Sequence, residues 1–307
     1  MGSELATPAS IAGADPDEIV AARFLSRYRE PTRTGYAVSL KLWFRWCHSK
    51  GIRPMQVERA HIELWARELE EIDGNKPATI CGKLNAVCGM YKYAQRDRFL
   101  EHNPAEWVER PKVPRYSSTE GLTRHEMLTI LDLAQAQGPR DHALLCILGL
   151  NGLRVGEAIA LNVEDLGLKQ SYRTIKFTRE KKDGMVDEMP LSPRTSRAVD
   201  QCAYGRTSGP LFLMRNLDGG DPQRMDRRAA DRVVKRMVKA AGIKKRITPH
   251  SFRHSFVTLS LDAGVSVRDV QNSVGHTDPR MVAYYDRNRN SLPRHATHYM
   301  SAYIEGS

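Results

Sequence analysis

A proline-rich segment, residues 111–119, constrains the fold of this chain most strongly. It reads PKVPRYSST and has no periodic apolar residues. Proline fixes φ and lacks a backbone donor, so such a segment does not continue a helix or a strand. With 307 residues, the chain is long enough for two domains. We therefore predict a first domain at 15–110, a linker at 111–119 and a second domain at 120–307.

The first domain is predicted to be entirely helical. Apolar residues recur at spacings of three and four, and the segment has no alternating strand pattern. This period indicates amphipathic helices, which start near Asp15, Pro31, Arg59 and Pro77. We expect a compact bundle of four or five helices. Residues 1–14 are small and polar, which is typical of a flexible terminus.

The second domain is predicted to mix helices with a small antiparallel sheet. Two β-rich segments, 172–179 and 185–191, flank an Asp-Gly turn, which predicts a hairpin. Helices are predicted within 221–242, where the sequence is basic, and from His250 onward. About 290–307 forms a C-terminal tail segment. The predicted fold class is therefore mainly α with a small antiparallel β-sheet.

The distribution of charge indicates the kind of partner. Lys and Arg number 47 against 36 Asp and Glu, a formal net charge of +11. Residues 1–110 hold 16 basic and 15 acidic residues, so nearly all of the excess lies in 111–307. A positive surface favours a polyanion, and nucleic acid before membrane. The alternative is a basic soluble protein that has no such partner.

The cysteines and the apolar runs indicate the compartment. Five cysteines in a long chain do not form a disulfide framework, and no CxxC motif or Cys/His ligand spacing occurs. The cysteines therefore predict no metal site, and no other residue pattern points to a cofactor. No signal-peptide pattern and no apolar run of about 20 residues is present. We expect a reduced, intracellular compartment and no membrane partner.

Arg154 is the first candidate for binding an anion. It lies in NGLRVGE (151–157), after a glycine break and before a new helix. Backbone N–H groups at a helix N-terminus favour an anion, which suits a phosphate. The alternative is that Arg154 pairs with a nearby carboxylate such as Glu157.

Further side chains suited to phosphate chemistry lie within 250–285. His250 and Arg253 of HSFRHSF are three residues apart and share a helix face. A guanidinium fits phosphate oxygens, and an imidazole transfers protons near neutral pH. His276 follows in VGH, and Tyr285 lies nine residues later. A tyrosine can be a covalent nucleophile.

Together these motifs resemble those of the tyrosine recombinase, or phage integrase, family. NGLRVGEA resembles its first arginine box, HSFRH its second, and VGH its further histidine. The match covers roughly 121–290. The helical domain is similar in size and composition to the family's core-binding (SAM-like) domain, but it carries no diagnostic motif. The resemblance implies a mixed α+β tyrosine-recombinase catalytic domain after the linker.

Two catalytic positions need a choice between neighbours. The family lysine lies in the hairpin, eight residues before a closing proline; Pro190 then selects Lys182, with Lys181 as the alternative. The nucleophile could be Tyr284 or Tyr285. The interval of nine residues from His276 to Tyr285 matches the family and favours Tyr285. The resemblance thus implies the catalytic residues Arg154, Lys182, His250, Arg253, His276 and Tyr285.

The resemblance implies a site-specific recombinase that works through a 3′-phosphotyrosyl intermediate without metal or ATP. Its partners would be double-stranded DNA attachment sites, three further copies in a homotetramer on DNA, and accessory factors for direction or DNA bending. Without DNA a monomer is compatible. Only about 14 residues precede the first predicted helix, too few for an arm-binding domain. In this respect the chain resembles a simple two-domain integrase.

We expect phage integration and excision. Xer-type chromosome or plasmid resolution is the alternative within the family, along with telomere resolution or type IB topoisomerase activity. From another class, a non-catalytic sequence-specific DNA-binding protein would explain the basic surface equally well.

Overall fold

The structure is a computed structural model that describes residues 15–113, 120–179, 184–214, 221–275 and 296–305. The chain divides into two compact units, Met1–Pro114 and Arg115–Ser307. The boundary falls within the predicted linker, of which 114–119 lie outside the described residues. The expected flexible terminus, 1–14, also lies outside them.

The described residues of the first unit form four α-helices packed around one core. Its helices are α1 Pro16–Ser26, α2 Thr32–Ser49, α3 Arg59–Glu71 and α4 Pro77–Arg96. Trp43 and Tyr91 are fully buried between α2 and α4. Trp43 Nε1 donates to the Tyr91 hydroxyl at 2.8 Å, and that hydroxyl donates to the carbonyl of Pro54 at 2.7 Å. The buried polar atoms of both rings are thereby satisfied, as aromatic cores require.

The second unit combines helices with one sheet. The helices among its described residues are α5 Arg124–Gln137, α6 Pro139–Leu150, α7 Val155–Ala160, α8 Pro193–Ala203, α9 Arg227–Ala240, α10 Pro249–Asp262, α11 Val267–Val274 and α12 Ala296–Glu305. Its strands are β1 Leu166–Lys169, β2 Tyr172–Thr178 and β3 Val186–Pro190. α6 is the core helix: residues 143–148 are all fully buried, with α5, α8 and α10 packed around it.

The sheet is antiparallel, with strand order β1-β2-β3. Leu166 of β1 pairs with Ile175 of β2, and Thr174 of β2 pairs with Pro190 of β3. The predicted hairpin is present, and the predicted fold class, mainly α with a small antiparallel sheet, is confirmed. The sequence patterns had assigned no element to β1, α8 or α11. β1 and α11 are short, with 4 and 8 residues respectively.

Candidate active site

The structure describes half of the predicted catalytic residues. Arg154, His250 and Arg253 lie within the described ranges. The other three, Lys182, His276 and Tyr285, lie outside the described residues. The same is true of the alternatives Lys181 and Tyr284.

Arg253 connects three segments that are distant in sequence. It lies on α10 and is only 3% exposed. Its Nη1 donates to the carbonyl of Gly152 at 2.5 Å, and its Nη2 donates to the carbonyl of Val274. Because a buried guanidinium is costly unless it is hydrogen-bonded, these contacts stabilise its position. The Arg253 side chain thus links three motifs. It lies on the HSFRH helix and contacts both the NGLR turn and the end of α11, which precedes the histidine of VGH.

The NGLR turn depends on its glycine. Gly152 has φ +64°, and a Cβ added there would lie 2.5 Å from Cδ1 of Phe256 on α10. Only glycine combines this left-handed backbone with so close an approach. The preceding Asn151 donates from Nδ2 to the carbonyl of Pro190 at 3.0 Å, which attaches the turn to β3. The segment that carries Arg154 is therefore fixed on two sides.

Arg154 is the N-cap residue of α7 and pairs with Glu157. Its backbone N–H donates to Glu157 Oε2 at 2.8 Å, and its Nη1 donates to Oε1 at 2.7 Å. The Glu157 side chain is fully buried, while the Arg154 side chain is 19% exposed. The pairing that the sequence offered as an alternative is therefore present. It fixes the orientation of a guanidinium that still reaches the surface.

His250 lies in the first turn of α10, three residues before Arg253, and its side chain is exposed. The N-cap of this helix is Thr248, whose hydroxyl accepts from the backbone N–H of Ser251 at 3.3 Å. The helix therefore places an accessible imidazole on the same face as a buried guanidinium.

Arg179 is a residue of this region that the sequence analysis did not identify as functional. It follows β2, is 4% exposed, and donates from Nη2 to the carbonyl of Ser273 at 3.1 Å. With Arg253, it gives α11 two guanidinium partners for its last carbonyls. Those carbonyls have no partner within the helix and carry partial negative charge, so cations are favourable there. The sequence offered only one signal, an arginine closing a β-rich segment.

No group of three or more His, Cys, Asp or Glu side chains among the described residues is arranged to hold a metal ion. None of the helices described is both long and apolar enough to cross a bilayer.

Comparison with known proteins gives a consistent result. The sequence pattern of the Phage integrase family matches residues 120–291. The tyrosine recombinase XerD of Chlorobaculum tepidum is 32% identical over 260 residues, covering 80% of this chain and 82% of the relative. The tyrosine recombinase XerC of Syntrophus aciditrophicus is 29% identical over 235 residues, covering 69% and 74%.

Solved structures show the same fold at lower identity. A lambda integrase dimer bound to a COC′ core site has a TM-score of 0.66 at 18% identity, covering 87% of this chain and 95% of that one. The Tn1549 transposon integrase in complex with a circular intermediate DNA has a TM-score of 0.67 at 20% identity, covering 91% and 99%. The family pattern and the XerD relative, together with the motifs that Arg253 brings together, lead to one conclusion. The chain belongs to the phage integrase family and is a tyrosine-type site-specific DNA recombinase.

Proposed function

We propose that this recombinase cuts and rejoins paired DNA sites through a 3′-phosphotyrosyl intermediate on Tyr285. One observation supports this most strongly: Arg253 donates to the backbone of both other motifs, at Gly152 and at Val274. Residues 154 and 276 each lie two positions beyond one of these carbonyls in the sequence. A phosphate that contacts Arg253 would then have the remaining motif residues close by.

The first chemical step is attack of the Tyr285 oxygen on phosphorus. A new P–O bond forms and the bond from phosphorus to the 5′ oxygen breaks. Because a free phenol is protonated at neutral pH, the Tyr285 proton must leave as the oxygen attacks, and we assign its acceptor as His250. Lys182 would protonate the departing 5′ oxygen.

Hydrogen-bond donors would stabilise the negative charge that develops on the phosphate in the transition state. Arg154 and Arg253 would neutralise the non-bridging oxygens, and His276 would donate a hydrogen bond to one of them. Donors of this kind contribute about 3–4 kcal/mol each, because they bind the transition state better than the ground state. A free 5′ hydroxyl of the partner strand then attacks the phosphotyrosine: a new P–O bond forms, the bond from phosphorus to the Tyr285 oxygen breaks, and the departing phenol regains a proton. The reaction therefore needs neither ATP nor hydrolysis, and the enzyme acts as a DNA strand transferase.

Duplex DNA is the proposed partner of both units, and the basic face of α9 supports this for the second. Exposed cations at spacings of three and four lie opposite the buried Val233, Val234 and Met237. They are Arg228, Arg232, Lys235 and Lys239. Such a row matches a phosphate backbone, which supplies most of the affinity of a DNA-binding protein. We assign the helical first unit as the core-binding domain.

For the biological role we propose integration and excision of a phage genome in the cytoplasm of a bacterial host. The active form would be a homotetramer on two attachment sites, with accessory factors that set direction or bend DNA, and residues 298–304 exchanged between neighbours. Xer-type resolution is the second candidate, favoured by the similarity to XerD over 80% of the chain. Recombination between two identical sites favours resolution, whereas a requirement for two different sites favours integration.

The proposed chemistry can be tested without knowing the attachment site. A pool of nicked duplexes with randomised sequence is incubated with the protein, and complexes that resist SDS are isolated and sequenced. We expect covalent adducts enriched in one inverted-repeat sequence. A non-catalytic DNA-binding protein would retain duplexes on a native gel but give no SDS-resistant adduct. Relaxation of supercoiled plasmid that lacks the enriched sequence would indicate topoisomerase activity instead.

A further inference from the structure

Arg179 lies outside the recombinase motifs but is buried beside the candidate active site. It follows β2, and its side chain is only 4% exposed. Its Nε donates to Asp187 Oδ2 on β3 at 2.7 Å, and Nη2 lies 2.6 Å from the same oxygen. Its guanidinium carbon lies 4.9 Å from the ring centroid of Phe177. The two strands of the hairpin thus hold this guanidinium from one side.

The other side of the guanidinium contacts the end of α11. Nη2 donates to the carbonyl of Ser273 at 3.1 Å. Helix α11 ends at its C-cap residue Gly275, which has φ +62°. A Cβ added to this glycine would overlap Nη1 of Arg179. The glycine therefore serves two purposes: it permits the left-handed turn and it leaves room for the arginine.

These contacts place Arg179 between the two chain segments that lead to proposed catalytic residues. In sequence, Lys182 follows Arg179 by three residues, and His276 follows Gly275 directly. The planar, five-donor guanidinium suits this position, because it can contact a carboxylate and a carbonyl in fixed directions at once. A lysine has one charged nitrogen on a flexible stem and lacks that geometry.

We propose that Arg179 is a positioning residue, which fixes the hairpin of the proposed general acid to the turn before the proposed phosphate-binding histidine. It acts through Lys182 and His276 and does not itself contact the DNA. This rests on the proposed function, in which the leaving 5′ oxygen takes its proton from Lys182.

The test compares leaving groups. Each variant is given a suicide substrate with the ordinary 5′ oxygen, and a second with sulfur at that position. Sulfur departs as a thiolate and needs no proton, so its departure is insensitive to the general acid. Arg179→Met should slow cleavage of the oxygen substrate roughly 10²-fold, as expected for a misplaced catalytic group. The same substitution should slow cleavage of the sulfur substrate by a factor that is at least about ten times smaller than the factor for the oxygen substrate.

Arg173→Met is the matched control. Arg173 lies on β2, the strand that Arg179 follows, and it too donates to one carbonyl, that of Gly167 at 3.2 Å, and to one carboxylate, that of Asp200 at 2.7 Å. Its loss removes one bond of each kind on α8's side of the strand, from a side chain that is 32% exposed. We expect it to leave both cleavage rates within about twofold of wild type. DNA affinity should be unchanged in both variants.

A second measurement tests whether Arg179 acts through Lys182. In a Lys182→Ala background, Arg179→Met should slow cleavage of the oxygen substrate at least about tenfold less than it does in wild type, because the part of its effect that passes through Lys182 is already lost. Should Arg179→Met fail to fold, Asp187→Asn is used instead, since it removes only the hairpin partner. Equal slowing of oxygen and sulfur substrates, or no slowing at all, would overturn the proposal. If wild-type protein forms no adduct with either substrate, the proposed function fails, and this proposal with it.

Discussion

The two arginines of the candidate site differ in their surroundings. Arg253 is buried and donates to main-chain carbonyls, whereas Arg154 is partly exposed and paired with a buried carboxylate. The sequence predicted both arginines and offered the Glu157 pairing as an alternative for Arg154. It could not predict the carbonyl partners of Arg253, because these lie 101 and 21 residues away. Long-range hydrogen bonds leave no periodic pattern in a sequence.

Replacing Arg253 by lysine should separate charge from geometry. A single ammonium keeps the charge but cannot reach both Gly152 and Val274 in the fixed directions of a guanidinium. We expect DNA cleavage to fall about 10²–10³-fold, as for removal of one transition-state donor. Unfolding in urea should show a loss of about 2 kcal/mol, typical of hydrogen bonds to a charged group.

Arg206→Lys is the control for this change. Arg206 donates to the carbonyls of Cys202, Pro210 and Leu211, at 2.9, 2.5 and 2.9 Å. We expect a similar loss of stability, about 2 kcal/mol, with cleavage within about threefold of wild type. An Arg253→Lys protein that cleaves as fast as Arg206→Lys would show that the guanidinium of Arg253 has no catalytic part.

His142 should make the stability of the second unit depend on pH. Burial lowers the pKa of His142, the nearby Arg194 cation lowers it further, and Asp132 partly opposes the shift. At a pH above the ordinary value of 6.5, folded and unfolded forms are both neutral, so the full stability is present. As the pH falls below that value, the unfolded state gains a proton that the folded state does not, and stability is lost.

His142→Gln removes this titration and keeps an acceptor for Arg194 Nε, which donates to His142 Nε2 at 3.2 Å. Urea unfolding between roughly pH 7.5 and 5 should therefore lose less stability in the variant than in wild type. His125→Gln, at an exposed position of α5, is the control and should keep the wild-type slope. Parallel curves for His142→Gln and wild type would contradict the assignment.

Elements that carry a clear local signal were predictable, and those defined by tertiary packing were not. Capping residues and apolar periods predicted α1 to α4, and an Asp-Gly turn predicted the β2–β3 hairpin. β1 has four residues, too few for an alternating pattern, and its place is defined by pairing with β2. α11 has eight residues, and its role depends on the arginines at its C-terminus. Neither partner arginine is near it in sequence.

Gly275→Ala tests the junction between α11 and the hairpin. The left-handed φ of +62° should cost about 1–2 kcal/mol for any residue with a Cβ. The added methyl group would also displace the Arg179 guanidinium. Gly242→Ala is matched in backbone, with φ +68°, but has open space around it. We expect a larger loss of stability in Gly275→Ala than in Gly242→Ala, because only the first displaces a buried side chain, and a loss of cleavage rate in Gly275→Ala alone. Equal cleavage rates in the two variants would show that the junction does not affect catalysis.

At the scale of the whole molecule, the two units differ in charge. Nearly all of the net positive charge lies in 111–307, and one exposed face of α9 carries four cations. Sequence composition predicted this excess, but the helix face appears only when the buried side of α9 is known. DNA affinity should therefore fall steeply with salt, because binding releases counterions.

Arg232→Gln tests whether this face contacts phosphates. Losing one phosphate contact should reduce the slope of log K against log salt by about 0.9 and weaken binding to all duplex sequences alike. Arg197→Gln, at an exposed position of α8, is the control and should leave the slope unchanged. If both variants kept the wild-type slope, the DNA-binding face would have to lie elsewhere on the chain.

The central claim is that the motifs converge on one phosphate and that Tyr285 attacks it. The most direct measurement is mass spectrometry of the trapped adduct after nuclease trimming and digestion with trypsin. Both candidate tyrosines lie in one tryptic peptide, residues 281–287 (MVAYYDR), and fragmentation distinguishes them. The account predicts the nucleotide mass on Tyr285, with adduct retained by Tyr284→Phe and lost in Tyr285→Phe. A nucleotide on Tyr284 or on any other residue would contradict it.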